Sequence, residues 1–456
     1  MRAKTNVALC AFITTTLLSP LAPTYAQQLA NEQELKAQQT TSSSPKNIIM
    51  VIADGMGPVY PVLYRNFKDD PQTNVVEKTV FDRLLVGSSS TYPHKMSGYV
   101  TDSAASATAL ATGVKTYNGA IGVDINKSPL LTVLEYAKIQ GKRTGLVSTS
   151  QIVHASPASY IAKNESRRNY NEIADDFFDN RAEEKLIADV IIGGGTRYFK
   201  RDDRDLVKEF TDSGYLYIDS YEQLETLNTG SQTNVLSLLA DIALPSALDS
   251  EIDSRLLTMG KVAVAQLENE KHGFVLIIEA SQVDWAGHSN DIAYAMGEMD
   301  DLAKTMRFFE EYANQTQDTL VVLTADHNTG GVSIGRDGEY KWQGKWLKNL
   351  KQSPKAIATA IETDDLEKAE VEHLLGFDLS SDEFKSLIKA DDEKGIYQAL
   401  KSLLDLKTHT GWTTGGHTGV DVPVYAIGPG SDKFSGFQDN TDIGKELFHL
   451  LNDKKD

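Results

Sequence analysis

Residues 47–57 read NIIMVIADGMG, a largely apolar run that passes directly into an acidic residue and a glycine-containing turn. A short apolar run that is bounded by a turn predicts a strand buried on both faces. Such strands are typical of parallel sheets, in which the crossover connections place helices over both faces. The stretch therefore predicts a buried parallel strand that carries Asp54 at its carboxyl end.

Five further apolar runs have the same character, and we interpret them as buried parallel strands: residues 144–148, 190–192, 274–278, 319–324 and 422–427. Helical patterns separate these runs. Residues 130–140 end at Gly141, and glycine commonly follows the last turn of a helix. Farther along, apolar side chains recur three and four positions apart, as one helix face requires, at Ile292, Met296, Met299, Leu302 and Met306. The alternation predicts an α/β fold, a three-layer α/β/α sandwich around a large, mostly parallel central sheet, with helical insertions.

Two segments interrupt this alternation. Residues 340–408 are rich in Lys, Asp and Glu, and residues 380–383 read SSDE, a capping-box pattern that starts a helix. We predict a small helical insertion over 340–408 and a shorter insertion between residues 198 and 254. Residues 46–456 then form one domain, with the insertions extending from it.

The N-terminal residues predict export. Residues 1–26 combine basic Arg2 and Lys4, an apolar stretch and a final small residue, Ala26, which together indicate a signal peptide. Residues 27–45 are rich in Gln, Ser, Thr and Glu, and we interpret them as a disordered spacer. No later stretch offers about 18 uncharged apolar residues, so we expect no membrane anchor and a periplasmic or extracellular location. Cys10 is the only cysteine, so removal of the signal would exclude disulfides and cysteine-based metal sites.

The chain is acidic, with a formal net charge of −19 that becomes −21 when Arg2 and Lys4 are removed with the signal. Nucleic acids are bound by basic surfaces, so we expect no nucleic-acid partner. A small phosphate compound stays compatible with this charge, because its site needs only local positive charge. The acidic excess is most simply explained by solubility.

Polar side chains follow four of the predicted strands at the point where each strand ends. In open α/β sheets, sites form beyond the carboxyl ends of the strands, so these residues are expected to meet at one edge. They are Asp54, Glu279, the pair Asp326 and His327, and, after the strand at 144–148, His154 and Ser156.

The acids near this edge predict bound metal ions. Unpaired buried carboxylates are costly, and few basic residues lie beside Asp54, Asp102, Glu279, Asp284 and Asp326 in the sequence. Carboxylate and histidine ligands without sulfur suit zinc, whereas sets of oxygen ligands suit magnesium. Taken singly, Asp284 and His288 also suit a surface pair on a helix, and His417 also suits a turn.

Residues 101–109 read TDSAASATA, and residues 113–116 read GVKT. Such a small-residue segment is typical of a closely packed helix, and Ala105, Ala109 and Gly113, four apart, would let that helix lie close to the sheet. The alternative is that the small neighbours leave an open approach to Ser103 as a nucleophile. Short motifs alone do not decide between these two interpretations.

The chain resembles the alkaline phosphatase family over nearly all of residues 46–430. Five motifs in order carry the resemblance: DGMG at 54–57, TDSAASATA at 101–109, GVKTYNG at 113–119, TADH at 324–327 and GHTG at 416–419. The resemblance implies an enzyme that hydrolyses small phosphate monoesters at alkaline pH. It also implies a homodimer, with a monomer as the alternative.

The resemblance further implies a role for each candidate residue. Ser103 would be the nucleophile that forms a covalent phosphoserine, and Arg167, steered by Asp102, would clamp two phosphate oxygens. Two Zn²⁺ and one Mg²⁺ per chain would be bound. The first zinc would use Asp284, His288 and His417, the second Asp54, Asp326 and His327 with Ser103, and the magnesium Asp54, Glu279 and Ser156.

Two positions vary among members of the family. His154 stands where some members have aspartate, and we include it among the metal-site residues because it affects how tightly the third site holds magnesium. Trp285 stands where some members have a lysine or histidine that helps to hold phosphate. The absence of that charge is expected to weaken the binding of the product.

Three other functions compete with this interpretation. A related metallo-phosphodiesterase would act mainly on diesters, although the arginine clamp favours monoesters. A sulfatase of the same superfamily would need a modified cysteine or serine in a different motif. An exported zinc-binding protein without turnover would need neither Ser103 nor Arg167.

Overall fold

The computed structural model describes residues 44–227, 232–364, 366–390 and 392–452. The predicted signal peptide, Cys10 and the predicted spacer up to residue 43 lie outside these ranges. Within the ranges, no helix has both the length and the apolar character that crossing a membrane requires.

The strands of the described residues, in chain order, are β1 Asn47–Ala53, β2 Leu85–Ser90, β3 Arg143–Gln151, β4 Arg181–Ala182, β5 Lys185–Leu186, β6 Val190–Gly194, β7 Leu216–Ile218, β8 Val235–Leu238, β9 Phe274–Ala280, β10 Thr319–Thr324, β11 Asn328–Thr329, β12 Ser333–Ile334, β13 Thr410–Gly411, β14 His417–Thr418, β15 Val422–Ile427 and β16 Gly436–Asp439. The α-helices are α1 Val59–Lys68, α2 Val80–Leu84, α3 Ser103–Thr112, α4 Val133–Ile139, α5 Ala155–Ala158, α6 Tyr170–Asp179, α7 Thr196–Phe199, α8 Leu206–Asp212, α9 Tyr221–Glu225, α10 Arg255–Leu267, α11 Gln282–Ser289, α12 Ile292–Thr316, α13 Pro354–Asp364, α14 Lys368–Leu375, α15 Ser381–Ile388, α16 Glu393–Thr408 and α17 Asn440–Asn452.

Ten of these strands form one central sheet in the order β16-β2-β15-β10-β1-β9-β3-β6-β8-β7. β1 lies in the middle and pairs in parallel with β9 and β10. Its side chains alternate between two hydrophobic clusters: Ile49 and Val51 belong to one, and Ile48 and Met50 to the other. Because both faces of the strand are buried under helices, the three-layer sandwich predicted from the sequence is confirmed.

All six predicted strands are present, but the prediction that all six are parallel is wrong for the last. β15 pairs antiparallel with both β10 and β2. The chain returns from the 340–408 segment at the edge where β10 ends, and there β14 pairs with β11. A strand that enters the sheet from that edge has to run opposite to β10.

The predicted insertion between residues 198 and 254 is wrong in part, because β7 and β8 within it are strands of the central sheet. β8 reads VLSL and is fully buried. Two further strands of the central sheet, β2 and β16, were not predicted from the sequence. β2 reads LVGSSS, in which glycine and serine hide the strand pattern, and most of it is half-buried or exposed.

The helical predictions hold. α12 buries Ile292, Met296, Met299, Leu302 and Met306, the apolar face predicted from their spacing. α4 is followed by Gly141 at a φ of +77°. In the 340–408 segment, Ser380 caps α15 through a capping box. That segment also contains a hydrophobic cluster of its own, which includes Ile357, Leu375 and Leu400.

Candidate active site

The turn after β1 is built so that three parts of the chain meet closely. Gly55 has a φ of +76°, and a Cβ at this position would lie 2.6 Å from the Cα of Asp284. A Cβ at Gly57 would lie 1.9 Å from the Oδ1 of Asn328. Only glycine fits both positions, so the turn carries Asp54 directly against α11 and the residues that follow β10.

Sheet register brings the acidic residues to one level. Ile52 of β1 pairs with Glu279 of β9 and with Thr324 of β10, two residues before Asp326. Glu279 lies inside β9 rather than beyond it, because that strand extends to Ala280. Asp54, Glu279 and Asp326 are all buried. The predicted convergence at the carboxyl edge is therefore present.

The first group of candidate metal ligands joins α11 to β14. The Nε2 of His288 lies 3.3 Å from Oδ2 of Asp284 and 3.2 Å from Nε2 of His417. His417 Nε2 lies 3.6 Å from Oδ1 of Asp284. The Nδ1 atoms of the two histidines contact backbone carbonyls instead, at Gly415 (2.7 Å) and Thr101 (2.8 Å). Such contacts hold a proton on Nδ1, so Nε2 is the nitrogen that can bind an ion once it has lost its own proton.

The second group surrounds the Nε2 of His327. This atom lies 3.1 Å from Oγ of Ser103, 3.4 Å from Oδ1 of Asp54 and 3.2 Å from Oδ2 of Asp326. All four residues are buried. An ion with tetrahedral bonds of about 2.0 Å separates its ligands by about 3.3 Å. The three separations in the first group, and the three distances from Nε2 of His327 in the second, lie near this value and suit a zinc-sized ion. Asp284 also has a ligand atom within 4.8 Å of those of Asp54 and His327, so it borders both groups.

The third group lies between β1, β9 and the start of α5. His154 Nδ1 lies 3.2 Å from Oε1 of Glu279 and 3.9 Å from Oδ2 of Asp54. The Oγ of Ser156 is buried and has no hydrogen-bond partner within the described residues. The same holds for both carboxylate oxygens of Asp54 and for Oδ2 of Asp326. Buried polar atoms without partners are costly, so these oxygens fit residues that bind cations.

Burial and mutual repulsion distort the titration of these acids. Burial, reinforced by the neighbouring Asp326 and Asp284, raises the pKa of Asp54 well above its usual value. Burial and Asp284 raise the pKa of Asp326 to about 7. A divalent cation would remove much of this penalty, because it favours the ionised carboxylates.

The pKa values of two histidines of the site shift in opposite directions. A hydrogen bond to Asp284 raises the pKa of His288 to about 9, although burial opposes this shift. Burial lowers the pKa of His327 well below its usual value, and the nearby His417 lowers it further. His327 is therefore neutral at pH 7, which is the form that binds metals.

Ser103 and Arg167 face this set of ligands from α3 and from the loop before α6. Asp102 caps α3 by accepting a hydrogen bond from the amide of Ala105 (3.0 Å), which leaves Ser103 as the first residue of the helix. The other oxygen of Asp102 lies 3.2 Å from an Nη of Arg167. The second Nη of Arg167 lies 3.2 Å from Nε2 of His154. One guanidinium is thus held between the serine helix and the third group.

A model of the alkaline phosphatase family matches residues 45–452. The chain belongs to this family. It is therefore a phosphate-monoester hydrolase of a metal-dependent family, and the resemblance identified from five motifs is confirmed.

Known alkaline phosphatases are similar to this chain over most of its length. Alkaline phosphatase 3 of Bacillus subtilis is 44% identical, over 97% of this chain and 96% of its own. The crystal structure of a cold-active alkaline phosphatase from a psychrophilic Shewanella is 47% identical and has a TM-score of 0.83, over 89% of this chain and 99% of its own. The alkaline phosphatase of the Antarctic bacterium TAB5 is 25% identical with a TM-score of 0.68, over 91% of this chain and 100% of its own.

Sequence reasoning missed several side chains that support the site. The hydroxyl of Thr329 lies between Asp284 and Nδ1 of His327 (3.2 Å to the latter). Asn118 accepts a hydrogen bond from the amide of Asp102 (3.1 Å). Three buried serines, Ser148, Ser150 and Ser281, surround one oxygen of Glu279. These residues do not show the spacing that is typical of metal ligands, so the sequence did not mark them. The polar run Ser148-Thr149-Ser150 at the end of a buried strand could have indicated that hydroxyl groups lie near the site.

Proposed function

We propose that this alkaline phosphatase hydrolyses phosphate monoesters through a covalent phosphoserine on Ser103, at a site that binds two Zn²⁺ and one Mg²⁺. The observation that carries the proposal is the position of the Ser103 hydroxyl, 3.1 Å from His327 and at the edge of a cluster of buried acids. The nucleophile, the ligand groups and a guanidinium all meet there. A protein that only stores metal needs neither Ser103 nor Arg167.

Each ligand group is assigned to one ion by its donors. The two groups that contain histidine suit zinc, and the third, richer in oxygen donors, suits magnesium. When bound, these ions favour ionisation of a hydroxyl, supply activated water and neutralise the charge on a leaving oxygen. The proposed assignment is Asp284, His288 and His417 for the first zinc, Asp54, Asp326, His327 and Ser103 for the second, and Asp54, Glu279 and Ser156, with His154 beside them, for magnesium.

Side chains of the protein position the nucleophile and the phosphate group of the substrate. Ser103 lies in the first turn of α3, where the positive end of the helix dipole favours an anion. Arg167 presents a planar pair of N–H donors, which suits two oxygens of one phosphate, and Asp102 and His154 hold its guanidinium in place. This arrangement favours a monoester, which offers more unesterified oxygens than a diester.

The proposed reaction consists of two displacements at phosphorus. The Ser103 oxygen forms a bond to phosphorus while the bond to the alcohol oxygen breaks, and the alcohol leaves with a proton. Water then attacks the phosphoserine, the Ser103–phosphorus bond breaks, and the serine regains a proton as inorganic phosphate departs. Each displacement inverts phosphorus, so the net result is retention of configuration.

Replacement of the serine tests the proposal. Ser103→Ala is expected to lose nearly all hydrolysis of p-nitrophenyl phosphate while it keeps its zinc, because the ligands from Asp54, Asp326 and His327 remain. Metal analysis and rate measurements across pH on the purified enzyme are the readouts. Ser386→Ala, on the exposed surface of α15, is the matched control and should keep both properties.

Two results would overturn the proposal. One is turnover by Ser103→Ala at a rate close to that of the unaltered enzyme. The other is absence of zinc, with no activity after zinc and magnesium are restored. Faster turnover of bis-p-nitrophenyl phosphate than of the monoester would favour a phosphodiesterase instead.

We extend the proposal to the location and the assembly of the protein. Bacterial alkaline phosphatases are typically exported, and residues 1–26 have the composition of a signal peptide. We therefore propose a periplasmic or extracellular enzyme that begins at Gln27, and a homodimer. Mass spectrometry of the exported protein and light scattering on the purified enzyme test these two points.

A further inference from the structure

We propose that Ser148 and Ser281, oriented by the backbone amide of Ser150, form a serine cradle that fixes Glu279 and sets the affinity of the third site for Mg²⁺. The cradle would leave a single carboxylate oxygen of Glu279 for the ion. The proposal rests on the proposed third site. It adds two positioning side chains, those of Ser148 and Ser281, which do not themselves touch the ion.

One oxygen of Glu279 is enclosed by hydroxyl groups. Its Oε2 lies 2.6 Å from Oγ of Ser148 and 2.6 Å from Oγ of Ser281. Ser150 Oγ lies farther away, at 3.2 Å. Each of the three serines is 0% exposed, so water does not compete for these contacts.

The amide of Ser150 determines where the two closer hydroxyls point. It lies 3.1 Å from Oγ of Ser148 and 3.1 Å from Oγ of Ser281, and it can only donate. Because both oxygens accept from this amide, their protons point elsewhere. The Glu279 carboxylate, at 2.6 Å, is nearer and accepts more strongly than the neighbouring serine hydroxyls at 2.9 and 3.0 Å, so it receives both protons. Two short hydrogen bonds then occupy the two lone-pair positions of Oε2.

The other oxygen of Glu279 faces the ligand group. Its Oε1 lies 3.2 Å from Nδ1 of His154, and Asp54 completes the same group. With Oε2 occupied, Glu279 can offer only Oε1 to an ion. Mg²⁺ demands near-ideal octahedral geometry, so a carboxylate that is held in one rotamer and binds through one oxygen favours it.

Affinity for magnesium, measured on zinc-loaded enzyme, tests the cradle. Ser148→Ala and Ser281→Ala are each expected to weaken Mg²⁺ binding about 10- to 100-fold in isothermal titration calorimetry, the usual cost of removing a group that orients a ligand. Zinc content should stay unchanged, because the cradle does not contact the two zinc groups. Thermal unfolding is measured in parallel to verify that each variant is folded.

Two matched variants separate orientation from packing. Ser150→Ala loses the longer contact to Glu279 and the hydroxyl contacts to Ser148 (2.9 Å) and Ser281 (3.0 Å). It keeps the backbone amide that orients the two closer hydroxyls, so its Mg²⁺ affinity should change no more than about twofold. Ser237→Ala removes an equally buried hydroxyl that has no partner within the described residues, and it should leave Mg²⁺ affinity unchanged. Equal weakening in all four variants would overturn the cradle, because packing alone would then explain the losses.

Glu279→Ala distinguishes failure of the cradle from failure of the third site. If it abolishes Mg²⁺ binding while Ser148→Ala and Ser281→Ala bind normally, the cradle is wrong and the third site stands. If Glu279→Ala binds Mg²⁺ as the unaltered enzyme does, the assignment of the third site is itself wrong. Should Ser148→Ala fail to fold, Ser281→Ala carries the test alone.

Discussion

At the scale of single residues, the site depends on which atom of each side chain is left free. The backbone carbonyls of Gly415 and Thr101 hold the Nδ1 atoms of His288 and His417, so both Nε2 atoms face Asp284. His154 likewise uses its two nitrogens for different partners, Glu279 and Arg167. The sequence gives the chemical type of each ligand. The orientation of the side chain, however, depends on hydrogen bonds to residues that are distant in the sequence.

Trp285 offers a prediction at this scale. It follows Asp284 on α11, and its ring stands edge-on to that of His154, with ring centroids 6.2 Å apart. Trp285→Lys adds a positive charge beside the proposed phosphate position, so the inhibition constant of inorganic phosphate should fall about tenfold, equivalent to ~1.4 kcal/mol. If product release limits turnover, kcat should fall as well.

Trp285→Met is the control, because it removes the ring without adding a charge. Its phosphate inhibition constant should stay within about twofold of the original. An unchanged inhibition constant in Trp285→Lys would contradict the proposal that the missing charge weakens product binding.

At the scale of secondary-structure elements, the small residues of α3 serve both proposed purposes: they allow close packing, and they leave an open approach to Ser103. Ser103 faces the ligand groups, and Ala104 and Ala111 pack in the cluster that covers one face of the sheet. The spacing of Ala105, Ala109 and Gly113 predicted a close approach of α3 to the sheet, but at Ala109 and Gly113 the close backbone approach is to another helix. They lie against α17, where a Cβ at Gly444 would be 2.9 Å from the carbonyl oxygen of Ala109 and 2.9 Å from the amide nitrogen of Gly113.

Gly444 provides the prediction for this helix pair. Gly444→Ala would also place its Cβ 2.7 Å from the carbonyl oxygen of Leu110, and backbone atoms cannot yield as a side chain does. The free energy of unfolding should fall by about 1–3 kcal/mol, the usual cost of overpacking. Denaturant unfolding measures this change. His449→Ala, on the exposed side of α17, is the control, and its free energy of unfolding should lie within about 0.5 kcal/mol of that of the original protein. An equal loss of stability in both variants would contradict close packing as the cause.

At the scale of the whole molecule, the 340–408 segment is joined to the sheet domain by partly buried polar contacts. Asp405 of α16 accepts a hydrogen bond from Trp412 (3.0 Å), which lies on the path to His417. Tyr397 of the same helix donates to Asp291, the cap of α12 (2.9 Å). Burial raises the pKa of Asp405 to about 7, the nearby Asp291 contributes to the increase, and the hydrogen bond from Trp412 opposes it.

This pKa gives the stability of the molecule a predictable dependence on pH. The folded protein holds the Asp405 proton more tightly than the unfolded chain, whose carboxyl has a pKa near 3.8. Stability should therefore fall as pH rises from about 4 to about 7, by at most about 4 kcal/mol. Asp405→Asn keeps the acceptor for Trp412 and cannot ionise, so its stability should fall less over this range.

Denaturant unfolding of both proteins at pH 5 and pH 8 measures the difference. Asp364→Asn, at the end of α13, is a control that should follow the original protein. The same fall in stability for Asp405→Asn as for the original would contradict a raised pKa at Asp405.

The amino-acid sequence alone determined the buried strands, the apolar face of α12 and the chemical types gathered at one edge of the sheet. These features follow from local patterns. A strand buried on both faces is a continuous apolar run that ends at a turn, and a helix with one buried face repeats apolar residues every three or four positions. The sequence also predicted the approach of the acids, because strands that are parallel end at a common edge.

Only the tertiary structure decided the direction of β15, the strand role of residues 235–238 and the neighbours of Glu279. The direction of β15 depends on where the 340–408 segment returns to the sheet. Ser148 and Ser281 are 133 positions apart and meet on one carboxylate because β3 and β9 pair. Contacts of this kind depend on sheet register and on hydrogen bonds across the fold, and no local pattern encodes them.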